Sequence, residues 1–203
     1  MCEHRTMSRS AGDLVACLPI MKKHYWERRL PHWIPDETPI FVTWRLAGSL
    51  PIGAGRRQDR LRYCPKTWGE LDAELDHASG PRWLAKAELA RIVQDALLYG
   101  EASKKWYTLH AWVVMPNHVH VVMTPHGDFS EIMRWLKWTT ARRVNALLGR
   151  TGTPFWQIES YDHWIRTLDE LGKTIRYVET NAIAAGLENW PWSSASAMVS
   201  LES

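Results

Sequence analysis

Two histidines separated by one residue are the first feature of this sequence that could do chemistry. His118 and His120 flank Val119 within an apolar run, and strand alternation turns both imidazoles to the same face. Two imidazole nitrogens on one face can bind a metal ion. The pair is equally compatible with polar residues on the solvent face of a sheet, because two protein ligands rarely suffice for a metal site.

A tyrosine and an asparagine four residues apart form a second pair. Tyr177 and Asn181 lie in a stretch with helical periodicity, so both side chains share one face, away from the apolar stripe that includes Ile175 and Val178. A free tyrosine, with a pKa of about 10, is a poor nucleophile at neutral pH. A nearby metal ion that polarises a phosphate would allow the phenolate to attack phosphorus. The two pairs together predict a metal-assisted nucleophile.

Other reactive side chains are weaker candidates for a catalytic role. Lys173 precedes Tyr177 by one turn and could stabilise the phenolate or hold a phosphate, although a solvated lysine is the commoner role. Tyr107 and Tyr161 compete for the role of nucleophile, but neither has a potential ligand four residues later on a helix. His163 lies in an extended apolar segment, where we expect a structural hydrogen bond.

Composition limits the class of protein. The chain has 203 residues, of which 45% are hydrophobic and 23% are charged, as expected for one globular domain. Lys and Arg exceed Asp and Glu by three, and the pI of about 8.8 is compatible with an anionic partner. Three cysteines without C-x-x-C spacing indicate neither a disulfide framework nor a zinc knuckle. We therefore expect a cytoplasmic protein, and the apolar run at 14–20 is too short to predict a membrane span.

Segments with strand periodicity alternate with segments of helical periodicity. The predicted strands are residues 39–46, 105–115, 118–124 and 155–165, and the predicted helices begin near Leu89, after Asp128 and after Thr167, and end near Gly100, Gly149 and Gly186. This order predicts an α+β sandwich with an antiparallel sheet and helices on one face.

The second predicted helix has a basic face. Its exposed side carries Arg134, Lys137, Arg142 and Arg143. Trp135 and Trp138 are interleaved with these cations, and thirteen tryptophans in the chain are more than core packing usually needs. This pattern suits a nucleic-acid strand, whose phosphates need neutralising and whose bases can stack on indoles. A solvated helix face packed by core tryptophans remains the alternative.

Several segments resemble a known family. Residues 110–120, HAWVVMPNHVH, resemble the His-hydrophobe-His signature of the HUH single-tyrosine transposases. Later segments resemble the carboxyl half of the REP-associated tyrosine transposases: FWQ at 155–157, YDH at 161–163, RYV at 176–178, Asn181, AGL at 185–187 and WPWSS at 190–194. Together they cover roughly residues 39–195. The family commonly has Asn-Pro followed by a basic residue, whereas this chain has Asn181-Ala182 and no Lys or Arg before Gly186.

The resemblance implies a fold and a set of roles. It implies a ferredoxin-like HUH endonuclease core, with Tyr177 forming a 5′-phosphotyrosyl intermediate and with His118, His120 and Asn181 holding Mg²⁺ or Mn²⁺. The expected partner is single-stranded DNA with a hairpin like a repetitive extragenic palindrome. The expected location is the cytoplasm, in association with the nucleoid, and no membrane partner is expected. The chain would act as a monomer or homodimer. The predicted DNA-binding residues are Arg134, Lys137, Arg142, Arg143 and Lys173.

The composition along the chain, together with the resemblance, suggests a division of the chain. Residues 1–36 are predicted to form an N-terminal arm, residues 37–195 the single-tyrosine catalytic domain with an excursion at about 48–81, and residues 196–203 a C-terminal tail. Two other functions stay open. A domesticated relative would bind DNA hairpins without cutting them, and a metallohydrolase would cut with activated water and use Tyr177 only for structure.

Overall fold

The computed structural model describes residues 24–27, 31–34, 37–49 and 68–199. The strands are β1 (His24–Glu27), β2 (Pro31–Ile34), β3 (Ile40–Arg45), β4 (Tyr107–Val114), β5 (His118–Pro125) and β6 (Tyr161–Trp164). The helices are α1 (Trp68–Asp76), α2 (Ala87–Ala102), α3 (Phe129–Leu147), α4 (Leu168–Ala184) and α5 (Ser194–Val199), and a 3₁₀ turn at Trp83–Ala85 precedes α2.

The core of the molecule is a four-stranded antiparallel sheet with the strand order β4-β5-β3-β6. The central strand β3 pairs with β5 on one side and with β6 on the other. Strands β4 and β5 form the predicted hairpin, which turns at Pro116 and Asn117. The chain order β3-α2-β4-β5-α3-β6 is the βαββαβ order of a ferredoxin-like sandwich, so the predicted α+β fold is confirmed.

The helices cover both faces of the sheet. Val42 and Trp44 of β3 share a core cluster with α2 and α3, which contribute Leu97 and Leu136. On the opposite face, a second cluster joins the sheet to α4; its fully buried members include Phe41, Val113, Val122 and Val178. The sequence analysis predicted helices on one face of the sheet. This is correct for α2 and α3 but wrong for α4, which lies on the opposite face. A sheet that is apolar on both faces must be covered on both, and α4 provides the second cover.

The capping residues that the sequence indicated are in place. Asp128 begins α3, and its Oδ1 accepts hydrogen bonds from the backbone N–H groups of Ser130 (2.8 Å) and Glu131 (3.1 Å). Thr167 caps α4 by accepting from the N–H of Glu170 at 3.1 Å. Gly149 and Gly186 follow these two helices with φ of 64° and 74°, the left-handed conformation that ends a helix most easily with glycine.

Gly100 does not end its helix as predicted, because α2 continues to Ala102. The residue is buried, and a Cβ added there would collide with the ring and hydroxyl of Tyr107. That hydroxyl donates to the carbonyl of Leu97 at 2.8 Å. The glycine therefore makes room for a buried tyrosine of β4.

Several elements outside the four-stranded sheet lie within or across the predicted arm, excursion and tail. β1 and β2 pair antiparallel, with His24 opposite Ile34, inside the segment predicted as an arm. The excursion predicted at about 48–81 contains α1, while residues 50–67 lie outside the described residues. Helix α5 crosses the predicted start of the tail at residue 196. No helix within the described ranges is long and apolar enough to cross a membrane.

Candidate active site

The two histidines of the H-x-H motif lie side by side on β5, on the face that α4 covers. His118 is 0% exposed and His120 is 1% exposed. Their Nε2 atoms are 2.9 Å apart. Strand alternation sends Val119 to the other face, where it joins the core under α2 and α3. Both imidazoles therefore present one nitrogen to the same point.

Asn117 fixes the orientation of His118. The side-chain amide of Asn117 donates from Nδ2 to the backbone oxygen of Leu75 at 2.6 Å, so its Oδ1 faces Nδ1 of His118 at 2.7 Å. An amide oxygen only accepts, so Nδ1 of His118 carries the proton and Nε2 keeps its lone pair. Burial, followed by the neighbouring His120, lowers the pKa of His118 to about 3. His118 is a neutral imidazole with its lone pair on Nε2, the form that binds a metal ion.

Thr43 and Phe41 of β3 position His120. In the strand register Thr43 lies opposite His120, and its hydroxyl is 2.7 Å from Nδ1 of the imidazole. The ring of Phe41 stacks on the imidazole with 5.5 Å between centroids and 20° between planes. With Nδ1 and one ring face occupied, Nε2 of His120 points toward His118.

Asp72 of α1 supplies an acidic group to the same point. Its Oδ2 lies 3.2 Å from Nε2 of His120, and the candidate ligand atoms of Asp72, His118 and His120 all lie within 4.8 Å of one another. Burial alone would raise the pKa of Asp72, but the nearby His120 and His118 and a hydrogen bond from Asn181 outweigh it. The net pKa is lowered, so the carboxylate is ionised at neutral pH.

Helix α4 brings the nucleophile candidate to this carboxylate. Val178 and Ala182 of α4 pack into the sheet, which leaves Tyr177 at the edge of the contact with its ring against Phe41 and His120. The Tyr177 hydroxyl donates a hydrogen bond to Oδ2 of Asp72. The predicted nucleophile and the two predicted histidine ligands are thus brought together.

Asn181 lies one turn after Tyr177 and binds the same carboxylate. Its Nδ2 donates to Oδ2 of Asp72 at 3.0 Å, and the residue is 6% exposed. Its Oδ1 is buried and has no hydrogen-bond partner among the described residues. An unpaired buried oxygen is costly, and a cation beside it would remove that cost.

The donor set of this pocket fits a divalent cation. Two imidazole nitrogens and a carboxylate oxygen converge, and the orphaned oxygen of Asn181 lies on a side chain bound to that carboxylate. Nitrogen and oxygen donors in this mixture suit Mn²⁺ and also accept Mg²⁺. The residues present are therefore a possible metal-binding triad with a nucleophile candidate beside it.

Asp72 is the site residue that the sequence did not indicate. Asn181 was predicted as the third ligand, but the acidic group that meets the two histidines comes from the segment predicted as an excursion. Glu70, Glu74 and Asp76 surround it in a short acid-rich helix, and no periodicity distinguishes Asp72 from them. Only the contact with β5, 46 or more positions later, identifies it.

The predicted DNA-binding residues do not surround Tyr177. Four of them belong to α3, which packs on the opposite face of the sheet: Arg134, Lys137, Arg142 and Arg143. The ammonium of Lys137 donates to the backbone oxygens of residues 157 and 158, and Arg134 pairs with Glu131 at 3.0 Å. Arg142 lies over the ring of Trp138. Lys173 is on α4, but its Nζ is 2.7 Å from Asp169 at the surface.

His163 and several of the aromatic residues take structural positions. His163 makes the expected structural contact, with Nε2 2.8 Å from Oε1 of Glu170. Trp44, Trp112 and Trp156 are core residues with at most 7% exposure. Tyr107, a competing nucleophile, is buried in the core under α2 and α3.

Comparison with known proteins finds relatives for the part of the chain that carries His118, His120 and Tyr177. The family described as "Transposase IS200 like" matches residues 86–181. A REP-associated tyrosine transposase of Escherichia coli (strain K12) is 27% identical over 92 residues, which cover 43% of this chain and 53% of that protein. The matched part thus spans about half of this curated relative.

A solved structure gives the likeness in fold. The REP-associated tyrosine transposase bound to a REP hairpin superposes with a TM-score of 0.55 at 18% identity, with 86% of each chain covered. The matched family segment contains both histidines and Asn181 together with Tyr177. Residues 86–181 of this chain therefore resemble the IS200-like transposase family, and the predicted resemblance to the REP-associated tyrosine transposases is confirmed.

Proposed function

We propose that this protein is a metal-dependent transposase that cleaves and rejoins single-stranded DNA next to hairpins through Tyr177. The observation that carries the proposal is a shared atom: Oδ2 of Asp72 accepts from the Tyr177 hydroxyl and lies 3.2 Å from Nε2 of His120. A nucleophile and a cluster of metal-binding donors thus meet at one carboxylate. A surface that only bound DNA would need neither of them.

The chemical step follows from this placement. The phenolic oxygen of Tyr177 bonds to the phosphorus of a DNA phosphodiester, and the bond from phosphorus to the 3′ oxygen breaks. The phenol proton passes to the carboxylate of Asp72, which already accepts its hydrogen bond. The 3′ oxygen takes a proton from water and leaves as a free hydroxyl. The 5′ end stays on Tyr177 until a 3′-hydroxyl reverses the step and rejoins the strand.

Asp72, His118 and His120 would hold the ion, Mg²⁺ or Mn²⁺, and the orphaned Oδ1 of Asn181 is a further donor beside them. When bound, the ion polarises the phosphate and offsets its developing negative charge. Asn117 and Thr43 contact Nδ1 of His118 and of His120, so both rings are oriented before the ion binds.

The names of the relatives support the choice of partner. One relative is a REP-associated tyrosine transposase, and the structure with the similar fold holds a REP hairpin. We therefore propose single-stranded DNA with a hairpin of this kind as the substrate. A phosphate can approach the site from the side of Tyr177, whose ring is only partly buried, whereas both histidines are closed off.

A gel assay tests the proposal. Purified protein is incubated with end-labelled hairpin oligonucleotides and Mn²⁺ or EDTA, and the products are separated under denaturing conditions. We expect a protein-linked band with Mn²⁺ that is lost with EDTA and in Tyr177→Phe. Tyr161→Phe is the matched control, because Tyr161 also packs its ring against Phe41 but does not touch Asp72, and it should form the band normally.

Each other outcome selects a different function. Binding of the hairpin without any covalent band would favour a domesticated hairpin-binding protein. Cutting without a covalent band, retained in Tyr177→Phe, would favour a metallohydrolase that uses activated water.

A further inference from the structure

A groove lies on the face of the sheet opposite to Tyr177. It has a volume of about 690 Å³ and is bordered by the turn before β4, the start of α3 and the exposed side of α3. Its aromatic lining consists of Trp106, Trp135 and Trp138. Ile132, in the same lining, is a buried member of the core under α2 and α3, which fixes the groove on that face.

The rings of the groove pack against one another and against Tyr99, and two of these aromatic side chains stay largely exposed. Trp106 meets Trp135 edge to face, with 5.2 Å between centroids and 88° between planes. Tyr99 stacks on Trp135 at 6.1 Å and 25°. Tyr99 is 48% exposed and Trp138 is 59% exposed. Large aromatic side chains this exposed are unusual on a protein surface and mark a binding surface when they cluster.

Cations rim the same surface. Nζ of Lys104 lies 5.4 Å from the ring centroid of Trp106 and 6.0 Å from that of Tyr99. The guanidinium of Arg142 lies 5.4 Å from the centroid of Trp138. Arg134 of α3 also lines the groove; its side chain is 65% exposed and pairs with Glu131 at 3.0 Å. Each exposed ring thus has a positive charge within reach of a phosphate that would accompany a stacked base.

We propose that this groove, defined by Trp106, Trp135 and Trp138, binds a few unpaired nucleotides of a single strand. A base would stack on the Trp138 ring, which is 59% exposed, and the neighbouring phosphates would pair with Lys104, Arg134 and Arg142. A duplex does not fit this chemistry, because its bases offer no free faces. The proposal shares its nucleic-acid partner with the function proposed above but uses the opposite face of the sheet, so the nucleotides held here are not those that are cut.

Fluorescence anisotropy with a labelled oligothymidine of about 12 nucleotides tests the groove. EDTA is present throughout, so that no cleavage contributes. Trp138→Ala should weaken binding about 5- to 150-fold, the effect of losing one stacked base, and Trp138→Phe should retain most of the affinity. The control is Leu147→Ala, because Leu147 is 61% exposed on the same helix but outside the groove, and its affinity should equal that of the unmodified protein.

Charge is tested separately from stacking. Arg142→Ala should reduce the slope of log affinity against log salt by about 0.7, the value for one phosphate contact on a single strand. Polyglutamate serves as an anionic competitor without bases, and it should displace the oligothymidine poorly.

Three results would overturn the proposal. The first is equal binding by Trp138→Ala and Leu147→Ala. The second is displacement by polyglutamate as effective as by unlabelled oligothymidine, which would leave only non-specific charge attraction. The third is a change of oligomeric state in Trp138→Ala by sedimentation with unchanged DNA affinity, which would make this face an interface between copies of the chain.

The test separates this proposal from the proposed function. If the groove binds nucleotides but the protein does not cleave DNA, no covalent band forms with a hairpin, yet oligothymidine binding still depends on Trp138. If cleavage is correct and the groove is wrong, Trp138→Ala forms the Tyr177-linked band at saturating hairpin and binds oligothymidine normally.

Discussion

The hydroxyl of Tyr177 donates a hydrogen bond to the carboxylate of Asp72, which lies 105 positions earlier in the chain. The same carboxylate oxygen is 3.0 Å from Nδ2 of Asn181 and 3.2 Å from Nε2 of His120. Three elements, α1, α4 and β5, therefore meet at one atom. Asp72 both orients the proposed nucleophile and contributes negative charge to the possible metal-binding triad, so its loss should affect both.

We expect Asp72→Asn to weaken metal binding, so that cleavage needs more Mn²⁺. An amide lacks the charge of the carboxylate, so the concentration of Mn²⁺ that gives half-maximal covalent band should rise by at least about tenfold. Glu74→Gln makes the same change of charge two residues later on α1, outside the cluster, and should leave the Mn²⁺ curve in place. Coincident curves for Asp72→Asn and the unmodified protein would show that Asp72 is not a ligand.

Thr43→Val should weaken metal binding without removing a ligand. The valine keeps the shape of the side chain but removes the hydroxyl that lies 2.7 Å from Nδ1 of His120. Loss of such a partner typically costs about 10- to 100-fold in metal affinity, and titration calorimetry with Mn²⁺ measures it.

The matched control for this change is Thr124→Val. Thr124 lies on β5 and holds His110, a histidine outside the cluster, at 2.8 Å. Its loss should not alter the affinity for Mn²⁺. An equal fall in both variants would indicate a general weakening of the sheet instead of a lost contact to His120.

Local spacing was sufficient to predict much of the site. The i, i+2 spacing of His118 and His120 on a strand and the i, i+4 spacing of Tyr177 and Asn181 on a helix are fixed by backbone geometry alone. The helix caps at Asp128 and Thr167 are local as well, which is why those helix starts were predicted correctly. Each of these features depends on residues within one turn or one strand.

The parts that were missed depend on long-range packing. Asp72 becomes a site residue only because Leu75 is buried and its carbonyl accepts from Asn117, 42 positions later. The covering of the second sheet face by α4 follows from Phe41 and Val122, whose burial requires tertiary contacts. A sequence pattern shows that such residues are apolar but not which helix will cover them.

Gly100→Ala should destabilise the protein although alanine is the better helix former. The added methyl group collides with Tyr107, and overpacking of this kind costs up to about 3 kcal/mol. After subtraction of the roughly 1 kcal/mol gained from helix propensity, we expect a net loss of about 1–2 kcal/mol in the free energy of unfolding. Urea unfolding measures the difference.

Gly172→Ala is the matched control for Gly100→Ala. It also replaces a glycine inside a helix, α4, but the new methyl would meet only the Arg176 guanidinium at an ordinary 3.5 Å. This variant should gain about 0.5–1 kcal/mol. A stabilised Gly100→Ala would contradict the packing role of Gly100.

Glu170→Gln should lower the melting temperature at neutral pH and have little effect in acid. Burial would raise the pKa of Glu170, but the backbone N–H of Arg166 and the nearby His163 outweigh it, so the net pKa is lowered. A carboxyl with a lowered pKa in the folded state stabilises the protein above its unfolded pKa of about 4.3, and this contribution is lost as the pH falls through the folded value. Calorimetry should therefore find the variant roughly 2–4 °C less stable at pH 7, the size of a lost helix-capping contact in a chain of this length, with the gap closing toward about pH 3. Glu88→Gln, in the first turn of α2, controls for removing a charge near a helix start. If the difference in melting temperature between Glu170→Gln and the unmodified protein stays constant with pH, Glu170 contributes through its shape and not through its ionisation.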